Sequence, residues 1–600
     1  MKTGTKVIAV IIAILIYAYA VEVTQINLEE PQDPQRQAIT TRVIRALARP
    51  DFFDYEVETY SVNIGIRIPC GEKAGDYKFT PDGHTVILSP NCADTTQDMI
   101  TVTGEGFRPK TEGIIRWHPP GDVVTTRALT TFRTDGDGYF IEDFTMPDIR
   151  PTDELQRIEI EEKWRTGING LSDTSIITIE KIIETVFMAL MATTVGTLLA
   201  VPISFIAARN LMAHVGAPLA SIMMGIAAIP VGGFIGWQIT AWLLQLAEQT
   251  YGNVFVGIAI GIVSLIIAWA ISFVGPPVFN DEKQSWTRGA ISLLRLLLSS
   301  LLIFFAVAVF ANQGVVLGEW LEDNLNRFAF LGNFIFLLSD AIRVMSAGIV
   351  GFLVALVAMS TGSKYGQELV LQLKGSPAKL FTGVTAGMGT AVFIYAIGSG
   401  LNWLYQFHEP QYWTLYPAII GGLIMTVVGF TINPKKQFPI GLAIYTITRS
   451  FFNIVRSIEP LIYVIVFAVW VGIGAFAGVI ALTIHTIAAL GKLFSEQVEG
   501  ISEGPIEAIT ATGANRLQMI IFAVIPQIVP PYIAFTLYRW DINVRFSTII
   551  GFAGGGGIGF VLVQNINLLK YRQASVMMIA IAVVVMSLDY VSSKIRTRIK

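Results

Sequence analysis

The chain has 600 residues, 53% of them hydrophobic and only 14% charged, with a formal net charge of −3 and a mean hydropathy of +0.58. Soluble globular chains carry roughly 25% charged residues, so this composition excludes a soluble enzyme and a disordered chain. The near-neutral charge gives no sign of a nucleic-acid partner, and what remains is an all-α polytopic membrane protein with one polar region to be explained separately.

A bilayer core about 30 Å thick takes roughly 20 apolar residues per helix. The first such run is Val7 to Val23, and residues 1–23 read as an N-terminal membrane anchor. Ala18, Tyr19 and Ala20 also resemble a signal-peptidase site, so cleavage is the alternative. The next run starts near Ile183 and ends at Ala208. Others follow near 216–247, 252–277, 290–312, 328–359, 380–405, 415–433, 438–457, 461–490, 516–538 and 574–592. That makes about twelve spans, of which the longest are expected to tilt, kink or hide a re-entrant piece. Positive charge in short loops marks the cytoplasmic side. Lys2 and Lys6 put the N-terminus inside and residues 24–180 outside. Lys283, Lys364, Lys374, Lys379, Lys435, Lys436 and the tail to Lys600 then fall inside. Both termini are expected in the cytoplasm of a multi-pass protein of the cytoplasmic (inner) membrane, bathed in lipid.

Residues 24–150 read differently. Apolar residues alternate, as in Ile100-Thr101-Val102 and Ile115-Arg116-Trp117, and turn signals recur. Thr134-Asp135-Gly136-Asp137-Gly138-Tyr139-Phe140 reads as a hairpin turn, and short strands at this spacing indicate an extracytoplasmic β-sandwich. The stretch Gly104 to Pro147 resembles bacterial immunoglobulin-like repeats. Asp135 and Asp137 suggest a calcium loop only weakly, since the distal Glu of an EF-hand is missing, and a plain turn is the simpler reading. Both cysteines of the chain, Cys70 and Cys92, fall here. An oxidising compartment permits a disulfide between them, two separate thiols being the alternative. The charged run Glu154 to Arg165 is read as helical, so 151–182 is expected to be a connecting helix into the membrane.

The most informative stretch is 496–527, polar and flanked by spans. Glu507-Ala508-Ile509 is followed after three residues by Gly513, and after nine more by Ala523-Val524-Ile525-Pro526. A short helix such as Pro505 to Ala511, ended by a glycine that turns the backbone without Cβ strain, can lie along the membrane surface. The pattern resembles the coupling loop of binding-protein-dependent ABC importer permeases, E-A-A-x3-G-x9-I-x-L-P. Glu507, Ala508, Gly513 and Pro526 match it, Ile525 stands for Leu, and Ile509 and Ala523 are apolar substitutions.

The flanks strengthen the resemblance. Arg456-Ser457-Ile458-Glu459-Pro460, Ala481 to Thr486, Leu490 to Glu496, Tyr538 to Arg545 and the glycine run Gly551 to Gly559 occur in order. Together they closely resemble the permease of phosphonate ABC importers, and Leu198 to Asn210 is similar to the family's opening span. On that basis 183–212 is the first permease-core span, 213–437 an insertion of extra spans, and 438–600 the permease core with a type I importer-like fold. The resemblance implies transport of phosphonate or a related phosphorus oxyanion, phosphate or phosphite. It implies no catalytic residues and no cofactor in this chain, ATP and Mg²⁺ belonging to a separate ATPase subunit. It also implies an extracytoplasmic substrate-binding protein, and a homodimer or pairing with a second permease. No G-x4-G-K-[ST] stretch occurs in the sequence.

Several polar residues lie in or beside spans, where ionisable groups are costly and usually functional or paired. Arg456 and Glu459 are read with His485, Lys492 and Glu496 as a core polar network. Arg539, Asn543 and Arg545 are placed towards the outer side, with Arg545 and Asn543 as permeation candidates, since guanidinium forks match phosphorus oxyanions. Gly554, Gly556 and Gly559 satisfy G-x-G-x-x-G, but neither a preceding strand nor a following acid supports dinucleotide binding. A glycine-rich gate is the better reading. Histidines are too scattered for a metal site. The competing functions are an ion-coupled secondary transporter acting alone, and a membrane-anchored receptor or assembly protein.

Overall fold

Alternation shapes the first part of the chain and small residues shape much of the rest. The computed structural model describes residues 3–25, 27, 29–70, 77–81, 83–119, 126–213, 215–250, 252–273 and 286–599. Of the lysines that orient the chain, Lys2, Lys283 and Lys600 lie outside the described residues. The protein divides into two units, Met1–Ser204 with Phe451–Lys600, and Phe205–Ser450.

The first unit opens with α1 (Thr3–Thr24) and α2 (Pro34–Leu47), the latter capped by the Asp33 carboxylate on the Gln35 amide. Eight strands follow: β1 (Phe53–Ile66), β2 (Tyr77–Phe79), β3 (Thr85–Ser89), β4 (Met99–Glu105), β5 (Glu112–His118), β6 (Arg127–Arg133), β7 (Phe140–Thr145) and β8 (Gln156–Leu171). They form two four-stranded sheets, β1-β8-β5-β6 and β2-β3-β4-β7. Every pairing in them is antiparallel. Period-two alternation sends Val62, Ile64, Ile158 and Ile160 into one core with Val102, Trp117 and the stacked pair Phe132–Phe140. Trp117 is fully buried, and its indole N–H donates to Gln156 Oε1 at 2.9 Å, so no polar atom of the ring is stranded. Cys70 and Cys92 are joined by a disulfide.

Two expectations change here. The stretch 151–182, expected as a connecting helix, is strand as far as Leu171, and the next helix begins only at Asp173. Its charges mislead because Glu159, Glu161 and Lys163 share one face of β8. There Glu161 pairs with Arg116 of β5 and with Lys163, and Glu159 meets His118 at 2.8 Å. The sandwich therefore covers 53–171 rather than 24–150. The Thr134–Phe140 turn is tight, but it carries the chain from one sheet to the other rather than closing a hairpin within one. Its Asp135 carboxylate accepts from the amides of Tyr139 and Asp137, both at 2.9 Å, and these bonds hold the carboxyl below its ordinary range.

Beyond the strands the chain is helical. After α3 (Asp173–Ile206) come α4 (Arg209–Met212), α5 (Leu219–Glu248), α6 (Val254–Phe273), α7 (Trp286–Asn324), α8 (Ala329–Gln372), α9 (Ser376–Tyr405) and α10 (Leu415–Thr431). Next are α11 (Ile440–Ser457), α12 (Pro460–Val471), α13 (Ala475–Glu499), α14 (Glu503–Ala511) and α15 (Arg516–Met519). The chain closes with α16 (Ile525–Ile550), α17 (Gly557–Asn567) and α18 (Tyr571–Ile599). Among the described residues ten helices are long and apolar enough to cross a bilayer, or eleven if α11 and α12, bent by 89°, count as one broken span.

Two span boundaries move. The run 461–490 is not continuous: Gly472 (φ +88°) and Gly474 (φ +151°) divide it into α12 and α13. The run 516–538 does not stop at its charges. It continues through Arg539, Asp541 and Arg545 to Ile550, because these groups are buried or paired inside the unit.

In the second unit α5 and α8 approach closely along glycines. A Cβ on Gly232 would come within 2.4 Å of Ala358, and one on Gly236 within 2.8 Å of Val354. In lipid, where apolar surface alone gives no drive for association, such small-residue contacts supply the packing. The ends of this unit meet in a two-residue antiparallel ladder, Ala217–Pro218 against Gln437–Phe438. The chain thus enters and leaves this block of spans at one place.

The sandwich is tied to the membrane helices of its own unit at two places. β8 runs into α3 across Ser172, whose hydroxyl donates to the Asp51 carbonyl at 2.5 Å. Ahead of β1, the Leu47 carbonyl accepts from Ser575 of α18 at 2.5 Å, and the Arg49 carbonyl from Arg572 Nε at 3.1 Å.

Candidate functional site

The loop 496–527 contains a helix of its own. α14 carries Glu507 and Ala508 and is exposed along most of its length. Gly513 follows at φ +81°, with open space where a Cβ would sit. A residue with a Cβ would be strained there by on the order of 1 kcal/mol. Asn515 and Gln518 then cap each other, each amide donating to the other's side-chain oxygen at 2.9 Å, and α15 begins. A π-turn at Ile520–Val524 leads into α16, where Ile525 and Pro526 are exposed in the first turn. The Ser502 amide, at the N-cap of α14, donates to Gln527 Oε1 at 2.9 Å. That bond fastens the exposed helix to the base of α16. Spacing alone does not single out Gln527, which gains meaning only once α14 is in place.

Further along α16 three helices meet on polar side chains. Asn543 is fully buried and donates from Nδ2 to Thr193 of α3 at 2.8 Å and to Thr486 of α13 at 2.9 Å. Arg539, 7% exposed, donates from Nε to Thr486 at 3.4 Å, while its Nη2 finds no hydrogen-bond partner among the described residues. Arg545 forms two ion pairs, with Asp541 one turn earlier and with Asp589 of α18, both at 2.9 Å. Asn543 is thus a three-helix tie and Arg545 a link from α16 to α18. Both stand on the helix α16 itself, Asn543 buried at the level of Thr193 and Arg545 exposed beyond it.

Of the five residues expected as one core network, His485 and Lys492 reach different partners on the α11–α12 side. His485 of α13 is buried and donates from Nδ1 to the Ile458 carbonyl at 3.3 Å. Lys492 reaches Asn453 at 3.3 Å. Arg456 and Glu459 are exposed where α11 breaks into α12, and Glu496 is exposed near the end of α13. The break frees the Ile458 carbonyl for His485, and the charges that flank it are exposed.

At the other end of α16 the chain reverses. A 3-10 turn at Gly551–Ala553 and the left-handed Gly554 (φ +89°) and Gly556 (φ +72°) bring it into the short helix α17. The Gly554 carbonyl accepts from the Gly474 amide at 2.9 Å, which joins this reversal to the α12–α13 turn. Gly559 leaves no room for a side chain, since a Cβ there would lie 1.9 Å from the Thr548 carbonyl oxygen. Glu184 of α3 accepts from the Gly557 amide at 2.9 Å, and Thr185 Oγ1 accepts from the Ile558 amide at 2.9 Å. A carboxylate at a helix N-terminus is favourable, and Lys181 holds the same carboxylate at 2.5 Å. Glu184 and Thr185 escape the sequence reading. Their available signal is an acid and a base three residues apart, Lys181 and Glu184, at the entry of a span.

Comparison with known proteins bears on this arrangement. The family of binding-protein-dependent transport system inner membrane components matches residues 426–599. A putative cryptic phosphonate transport system permease of Escherichia coli (strain K12) is 45% identical over 117 residues, 20% of this chain and 96% of that protein. A putative phosphite transport system permease of Stutzerimonas stutzeri is 34% identical over 191 residues, 30% of this chain and 66% of that protein's length. A phosphate-import permease of Mycolicibacterium smegmatis (strain ATCC 700084 / mc(2)155) is 25% identical over 468 residues, 70% of this chain and 85% of that protein. That last match is longer than the first unit alone, so it takes in part of Phe205–Ser450.

Proposed function

Because the chain belongs to the binding-protein-dependent transport system inner membrane components, we propose that it is the permease subunit of an ABC importer that brings a phosphorus oxyanion across the cytoplasmic membrane. The oxyanion class follows the names of the relatives, which are permeases for phosphonate, phosphite and phosphate. In this reading a separate ATPase subunit binds ATP and Mg²⁺ and takes α14 into its docking groove. A binding protein delivers the oxyanion from outside, and both termini lie in the cytoplasm.

The observation that carries the reading is a continuous mechanical line. α14 is exposed and ends at Gly513, Ser502 ties it to Gln527, and α16 runs from there to the Gly551–Gly557 reversal. A push on α14 therefore moves α16, and α16 carries the push to the latch that Glu184 and Thr185 form on α17. Asn543, bonded to Thr193 and Thr486, makes α3 and α13 follow. Among the described residues one helix of this kind occurs per chain, so a transporter driven by two ATPases takes two permeases, and we read the assembly as a homodimer.

The test is capture of an ATPase partner by the full-length chain and its loss in a variant lacking 503–511, combined with uptake of labelled phosphate, phosphite and methylphosphonate in reconstituted vesicles. ATP-dependent uptake of at least one oxyanion is expected. Uptake by the isolated chain under an ion gradient, without an ATPase, would instead establish a secondary transporter.

A further inference from the structure

The mechanical line leaves one feature unused, the break between α11 and α12. Its depth is fixed by α13: Phe452 packs on Gly491, Asn453 meets Lys492, and the Ile458 carbonyl meets His485. His485 lies ten residues inside a 25-residue span that starts at Ala475, about 15 Å from its end at 1.5 Å per residue. The break therefore lies at hydrocarbon depth. There Asn453, Arg456, Ser457 and Glu459 are all exposed on the protomer's surface. Their exposed neighbours are apolar: Phe451 at 55%, Ile454 at 64%, Ile462 at 54% and Val466 at 60%. Charged side chains at that depth do not face lipid. They face a bundle interior or a water-filled passage.

The local charge favours an anion. Arg456 and Glu459 form no ion pair with each other or with any other described residue. Arg456 lies two residues before Ile458, which meets His485, and the buried Arg539 reaches Thr486, the residue next to His485. The nearest acid on α16, Asp541, is engaged by Arg545. Two guanidinium groups are thus set against the single carboxylate of Glu459. The backbone that the break frees is satisfied inside the protein, the Ile458 carbonyl by His485 and the Val455 carbonyl by the Tyr463 hydroxyl, as irregular structure at membrane depth requires.

We propose that the α11–α12 break is an oxyanion step in the permeation path, lined between this face and that of a second copy of the chain. Arg456 offers its fork to two oxygens of a phosphorus oxyanion, and Ser457 and Asn453 supply neutral donors beside it. Glu459 accepts from the P–OH of a singly protonated anion and repels the rest of its charge. Binding at this step stays weak enough for release, as conduction requires. This rests on the permease reading and adds to it the residues that meet the cargo inside the membrane.

The test uses single cysteines. Cys70 and Cys92 are paired and no free cysteine competes, so Ser457→Cys and Ile462→Cys can be made in the otherwise unchanged chain. In membrane vesicles carrying the assembled transporter, the anionic reagent 2-sulfonatoethyl methanethiosulfonate is expected to modify Ser457→Cys at least about tenfold faster than Ile462→Cys. Phosphate, phosphite or methylphosphonate should slow that modification, and Arg456→Gln should remove the protection, whereas Arg456→Lys should keep it at higher anion concentration. Equal rates at the two positions, or protection that survives Arg456→Gln, overturns the proposal. Uptake by the unmodified chain is measured alongside. If none of the three anions is taken up, the substrate class fails, while the ratio of labelling rates still decides whether the break faces water.

Discussion

The two units solve the same problem, burial in lipid, in opposite ways. In Phe205–Ser450 the spanning helices from α5 to α9 are long, α8 running 44 residues, and glycines zip α5 against α8. In the membrane part of the first unit the helices are repeatedly interrupted: at the α11–α12 bend, the π-turn before α16, the glycine reversal before α17, and the separate helix α14. The return after α8 has a left-handed glycine too, Gly375 at φ +68°, but it passes straight into α9 with no intervening helix. Interruptions cost backbone hydrogen bonds and packing, and they persist where motion or ligand access requires them. In the mechanism proposed above, the first unit is then the part that moves and the second is given the role of a scaffold.

The contrast can be attacked from both sides. The largest effect is expected at the lever: Gly513→Pro forces a φ the turn does not have, and ATP-driven uptake should fall about tenfold or more while ATPase binding and the folded yield persist. Unchanged uptake in reconstituted vesicles would remove α14 from the mechanism. Next comes the zipper. Gly232→Leu must push apart α5 and α8 and should lower thermal stability in detergent by about 1–3 kcal/mol, leaving uptake per folded molecule intact. A loss of uptake as deep as that of Gly513→Pro would mean the second unit is no mere scaffold.

The third prediction separates rigid from moving parts inside the first unit. Cys70→Ser opens the bridge across a sequence separation of 22 and should destabilise the sandwich by about 2–4 kcal/mol, read as faster proteolysis within 53–171. Uptake should survive. The smallest effect is acid loosening of the β6–β7 turn. The folded Asp135 carboxyl titrates below its ordinary range because the Tyr139 and Asp137 amides bond it. Its contribution is therefore complete above the ordinary carboxylate value and is lost as pH falls through the depressed one. Asp135→Asn should flatten that part of the acid profile of protease resistance.

How much of this was readable beforehand depends on whether a residue's partners are near in sequence. The helix at Glu503–Ala511 and the turn at Gly513 follow from local spacing and are where the E-A-x4-G pattern puts them. The sandwich follows from alternation. β8 does not, because Glu159 and Glu161 look like a charged helix until Arg116 and His118 of another strand are set opposite them. In the same way α16 seems to end before Arg539, since Asp589, which shares Arg545 with Asp541, lies 44 residues further along. Glu184 is the extreme case: its partner, the Gly557 amide, is 373 positions away.

The sandwich stands on two feet. One is the β8–α3 junction at Ser172, the other the seat of Leu47 and Arg49 on Ser575 and Arg572. A body held at two separate points passes a load applied to it from outside to both α3 and α18, rather than to one of them alone. Those are the two helices whose side chains hold the chain on either side of the reversal, Asp589 through Arg545 before it and Glu184 through the Gly557 amide after it.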